Sequence, residues 1–211
     1  MSHPFADRIA WITQAFPAVA PAITLACTPP PPPGNPPAET KVLAARAGVV
    51  AQYDSLAEAI RRRDLAGIMA VQDSAFTSVG VRGEFSDYAA AREYSRRLVT
   101  SFDSVYHIAN KIRRFELRGS TGDTAVADVC QELSRLQRVG GGDPRRVDTS
   151  ALQTEIWVQR HPGVWRRLRV ENVHGTRWFV AGKRVDATKP YDPDAPPYEP
   201  AGEAPTGCGL R

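Results

Sequence analysis

Glu155 stands in the alternating run Gln153-Thr154-Glu155-Ile156-Trp157, where every second side chain points the same way on a strand. Gln153, Glu155 and Trp157 therefore share one face. A following turn through His161–Val164 would bring Leu168, Val170 and Asn172 onto the same face of the next strand, giving an apolar wall with a few polar groups. A carboxyl on such a wall has its neutral form favoured by desolvation, and near neutral pH it can donate or accept a proton. The alternatives are an ion pair with Arg135, a pair with Arg169 if the register slips by one, or a place in solvent. Asp73, between a short helix and the first strand, is a second candidate carboxylate at a pocket mouth, although local capping explains an Asp there equally well. Tyr53, Tyr88 and Tyr94 fall on the apolar stripes of helices, from which a phenol can reach a ligand or simply sit at the rim of a core.

Other chemistries lack their residues. His3, His107, His161 and His174 are scattered without ligand spacing, so no metal is expected. Gly140-Gly141-Gly142-Asp143-Pro144 is not followed by the Lys-Ser/Thr of a phosphate loop and reads as a turn. No Gly-x-Ser-x-Gly elbow offers a nucleophile, and no cofactor motif is present. Cys130 reads as a small, half-buried strand residue, and three cysteines in a leader, a strand and a tail imply no disulfide framework.

The elements that must position these residues follow from periodicity. The 211-residue chain is 42% hydrophobic and 24% charged, ordinary for a globular domain, with a net charge of +4. Runs such as Arg61-Arg62-Arg63 and Arg166-Arg167 read as solvated basic faces, and without a recognition helix or aromatic RNA motif a nucleic-acid partner is not expected. Residues 1–37 form a leader, apolar from Ile9 to Ala26, and a proline-rich spacer. Thr24-Leu25-Ala26-Cys27 is similar to a bacterial lipoprotein start, so either export, with membrane attachment through a lipid on Cys27, or a cytoplasmic protein with a plain leader is open. Val42, Val49, Tyr53, Leu56 and Ile60 mark a first helix, Leu65 to Val71 a second capped by Asp64, and Tyr88, Ala91, Tyr94, Leu98 and Phe102 the inner stripe of a third. Phe76 to Val81 turns β-like. Tyr106–Leu117, Thr124–Val139, Thr149–Arg160 and Trp165–Val180 are rich in strand formers and separated by turns. The fold class is α+β: three N-terminal helices on an antiparallel sheet, one domain over residues 38–186, then a proline-rich disordered tail, 187–211.

This order resembles the nuclear transport factor 2-like superfamily, with its SnoaL-like and ketosteroid isomerase-like members. The resemblance is carried by Arg63-Asp64-Leu65-Ala66-Gly67-Ile68 with Phe76 downstream, and by Glu155-Ile156-Trp157-Val158 through Gly163-Val164-Trp165-Arg166-Arg167. It implies a cone-shaped curved sheet, a homodimer, and a pocket for a small apolar molecule lined by Tyr53, Leu56, Phe76, Tyr88, Tyr94, Gln153, Trp157, Leu168, Val170 and Asn172. By the same resemblance, the isomerases' oxyanion-hole tyrosine falls on Leu56 and their base on Gly80, while Glu155 keeps the place of their second oxyanion-hole group. Three functions follow as expectations: a small-molecule binder, an isomerase, cyclase or hydratase working through Glu155, or a structural dimerisation module whose cone is filled by its own side chains.

Overall fold

A computed structural model describes residues 38–140, 142–171, 176–199 and Cys208. The leader with Cys27, and Asn172, lie outside the described residues. The first helix, α1 (Ala38–Arg61), buries Val49, Tyr53, Leu56 and Ile60, the stripe its spacing predicts. After a tight turn comes α2 (Leu65–Ala70), whose first turn is capped by the Asp64 carboxylate accepting from the Gly67 amide at 3.0 Å. Strand β1 (Gln72–Val79) and the short β2 (Phe85–Asp87) form a hairpin, and Asp87 then caps α3 (Tyr88–Ser101).

The rest is strand: β3 (Phe102–Arg118), β4 (Thr124–Arg138), β5 (Pro144–His161), β6 (Val164–Glu171), β7 (Thr176–Val180) and β8 (Lys183–Val185). The sheet runs β2-β1-β6-β5-β4-β3, and β7 continues along the same edge of β5 that β6 occupies, so the fourth long segment of the sequence is two strands on one partner. One pairing departs from the antiparallel expectation: β1 lies parallel to β6. The reason is connectivity, since α3 and three long strands intervene before the chain returns beside β1.

The inner face packs on α1. Ala125, Ala127 and Val129 of β4, fully buried, together with Trp157 of β5 and Trp165 of β6, form one cluster with Val49, Tyr53 and Leu56. Small residues at 125 and 127 let the helix come close, and Gly48 serves the same end: a Cβ there would stand 2.5 Å from the Trp165 ring. Strand β3 forms an edge of the sheet. Its pairing with β4 is broken by three register shifts, which bend and twist an exposed edge away from regular pairing with another chain.

The other face of β4 carries Cys130, Glu132 and Ser134, all buried. Cys130 is disulfide-bonded to Cys208, 78 residues away, which corrects the expectation that the cysteines imply no disulfide framework. Sequence could not reveal it, because the two residues lie in segments with no common pattern. The described part of the tail is held as well: Tyr191 packs on Trp178, and the Tyr198 amide donates to the Arg184 carbonyl at 3.0 Å. Closing so long a loop typically stabilises a fold by about 2–4 kcal/mol, so the paired substitutions Cys130→Ser and Cys208→Ser are expected to lower stability by about that amount in urea titration. A non-reduced tryptic digest is expected to contain the two cysteine peptides joined, and their recovery as free thiols would exclude the bond.

Candidate functional site

Glu155 has no solvent-exposed surface. Such a carboxylate is costly to bury unless each acceptor position finds a donor, and here four donors converge on it. Oε1 accepts from Gln153 Nε2 at 2.7 Å and from Arg167 Nη1 at 2.9 Å. Oε2 accepts from the Tyr53 hydroxyl at 2.5 Å and from Trp157 Nε1 at 2.9 Å. The Arg167 guanidinium, 8% exposed, also donates from Nε to Gln72 Oε1 at 3.1 Å and lies 5.9 Å from the ring centres of Phe76 and Trp157. Tyr53 meets Trp157 edge to face at 5.2 Å. Burial first, and then the neighbouring Glu155 carboxylate, hold the Tyr53 phenol well above its ordinary pKa, so it stays the donor.

Elements from across the fold make this cluster. Tyr53 comes from α1, Gln72 and Phe76 from β1, Gln153, Glu155 and Trp157 from β5, and Arg167 from β6. Strand β6 reaches it through a β-bulge: Ile156 pairs with Arg169 and Trp157 with Arg167, so Leu168 is an extra residue between them. The bulge flips the phase of the strand. Trp165 and Arg167 point inward on one side of it and Val170 on the other, while Arg169 is exposed.

Several expected residues meet here. Tyr53, Phe76, Gln153 and Trp157 surround Glu155 or its arginine, Val170 is its strand partner, and Leu56 is buried in the adjoining core. Others take different places. Neither Arg135 nor Arg169 pairs with Glu155; the partner is Arg167, missed because an unbroken alternation puts Leu168 inward instead. A signal was available, since Trp165 and Val170 are an odd number of residues apart and cannot both face inward without a bulge. Leu168 is half-buried at that bulge rather than on the wall. Tyr94 is 60% exposed, because the inward stripe of α3 passes through Ser95 and Val99 instead, and Tyr88 is half-buried at its start. Asp73, 4% exposed, does not guard an opening: Arg160 clamps it with Nε to Oδ2 at 2.5 Å and Nη2 to Oδ1 at 2.8 Å, which holds its carboxyl below the usual range. A hollow of about 330 Å³ lies between α1 and β3, lined by Val50, Tyr53, Ala57 and Ile108 among others. Among the described residues no group of acidic, histidine and cysteine side chains is arranged to hold a metal.

The chain has the nuclear transport factor 2-like fold. A conserved protein from Planctomyces limnophilus superposes with a TM-score of 0.51 at 12% identity, over 62% of this chain and 95% of its own. Kfla4162 from Kribbella flavida gives 0.50 at 16% identity, over 64% and 90%. An NTF2-like protein from Cytophaga hutchinsonii matches at 13% identity over 60% and 94%, with a TM-score of 0.43. No family model matches the sequence, and neither does any curated protein. Identities this low speak for the fold alone.

Two outcomes follow from the cluster. Glu155→Gln strips a buried guanidinium of its counter-ion, at an expected cost of about 3–5 kcal/mol in urea denaturation, whereas the double variant with Arg167→Met recovers much of it by removing both charges. An unchanged midpoint in the single variant would contradict a structural pair. For Tyr53, whose folded pKa is raised, the stabilisation is complete below the unfolded value of about 10 and falls as pH rises above it, because the unfolded chain loses that proton first. Tyr53→Phe is expected to flatten the loss of stability between about pH 9 and 11. Equal slopes in both proteins would show that Tyr53 has no part in it.

Proposed function

We propose that this chain is a non-catalytic structural module whose interior is filled by its own side chains and whose outer surface meets its partner, in the first instance a second copy of itself. One observation carries the reading: the interior carboxylate, Glu155, is sealed, and its four acceptor positions are occupied by Tyr53, Gln153, Trp157 and Arg167. A general acid or base must reach the proton it moves, and no position on this carboxylate is left for a substrate. Asp73 offers no substitute, since Arg160 engages both of its oxygens. The disulfide supports a further part of the proposal, residence in an oxidising compartment such as the cell envelope, in keeping with a leader that is exported.

A second reading, a binder of a small apolar molecule, is favoured by the hollow between α1 and β3, whose size lies at the lower end of ligand sites and which has Tyr53 in its wall. One neutral probe separates the two. With N-phenyl-1-naphthylamine, the structural reading expects no saturable fluorescence enhancement, and in NMR a Trp157 indole proton that exchanges only on global unfolding. Saturable one-to-one binding that perturbs the Trp157 indole and is blocked by Ile108→Trp would replace the structural module with the binder. Native mass spectrometry of the same sample is expected to give the mass of a dimer.

A further inference from the structure

A second arginine is buried on the inner face, and its circumstances are the opposite of Arg167's. Arg135 of β4 is 5% exposed, yet among the described residues no carboxylate lies within ion-pair distance of it. Its nearest acidic neighbour in sequence register, Asp148, is on the other face of the sheet and is engaged by Arg146. What Arg135 has is neutral: Nε donates to Gln137 Oε1 at 2.6 Å, Nη1 donates to Thr149 Oγ1 at 3.1 Å, and the Phe102 ring lies 5.2 Å below its centre. Nη2 donates to no described group, and it is not among the atoms closed off from solvent. Desolvation lowers its pKa to about 10, opposed by the nearby Tyr94 phenol and Asp148.

The same strip of sheet holds a second idle donor. Trp178 pairs directly with Thr149 across β5 and β7, which puts its side chain on the face Arg135 uses, and its Nε1 is buried without an acceptor among the described residues. A guanidinium and an indole N–H thus flank Thr149, whose hydroxyl hydrogen is spent on the Leu133 carbonyl at 3.3 Å. A buried donor without an acceptor and a buried cation without an anion are each unfavourable, and one planar group with two acceptor oxygens relieves both. The surroundings are aromatic: Phe102 under the guanidinium, Tyr191 packed on Trp178, and the exposed Tyr94 close enough to Arg135 to act on its charge. We propose that Arg135, Thr149 and Trp178 form a binding site for a small aromatic carboxylate, with the carboxylate on Arg135 Nη2 and Trp178 Nε1 and the ring against the aromatic side chains.

The site is independent of the closed interior, because it lies at the opposite end of the β4–β5 ladder from Glu155. Sodium benzoate is the probe, titrated into the full chain by calorimetry and thermal unfolding against sodium chloride at equal ionic strength. Benzoate is expected to bind one to one and raise the melting temperature, and chloride to do neither. Arg135→Met, which keeps the stem and removes the charge, is expected to lose at least about tenfold in affinity. Trp178→Phe keeps the ring, deletes the donor, and should lose about two- to tenfold. Equal responses to benzoate and chloride, or undiminished binding in Arg135→Met, would overturn the site. Should Arg135→Met fail to fold, Trp178→Phe decides alone, and unchanged benzoate affinity there overturns the proposal.

Discussion

A carboxylate with no access to water has to be satisfied completely, and that requirement at Glu155 organises the interior. Its four donors come from a helix and two strands, so the helix angle, the strand register and the inward phase of β6 must all be right at once. Removing any donor leaves a charge or a lone pair exposed to an apolar surround, a larger penalty than a lost surface contact. The cluster therefore acts less as an attraction than as a test that only one arrangement passes. Gln72 and the Phe76 ring extend it to β1 through Arg167, tying the first strand to the last long hairpin.

The bulge at Leu168 is the device that makes the pairing possible. Without it, the side chain brought inward beside Glu155 from β6 would be leucine, and the carboxylate would keep only the neutral donors of Tyr53, Gln153 and Trp157. With it, an arginine arrives and the carboxylate becomes one half of an ion pair. A single inserted residue thus decides whether the buried carboxylate has a counter-ion.

Two arginines on one face show how burial is handled in different ways. Arg167 is matched by charge, and Arg135 only by neutral acceptors and an aromatic ring. The first arrangement is complete in the protein alone; the second leaves Arg135 Nη2 without an acceptor among the described residues. On the opposite face, the disulfide holds Cys208 against β4, where hydrophobic contact from a proline-rich segment would supply little.

Local pattern was enough for the helices, the long strands and the face on which Glu155 lies. Val49, Tyr53, Leu56 and Ile60 recur at the helical period because one side of α1 must leave water, and Gln153, Glu155 and Trp157 alternate because β5 has two faces. The resemblance that named the fold rested on the same regularities, in Arg63–Ile68 and the last hairpin. What pattern could not supply was anything depending on a break in it or on distant segments meeting. The bulge that exchanges Leu168 for Arg167 and the outward turn of Tyr94, whose place in the stripe of α3 is taken by Ser95, are set by packing against neighbours. The parallel approach of β1 to β6 and the Cys130–Cys208 bond join residues far apart in the chain, with no local signature. Residue type and alternation left Glu155 on an apolar wall, in an ion pair or in solvent; only the tertiary structure, by choosing the register of one strand, decided that it is both buried and paired.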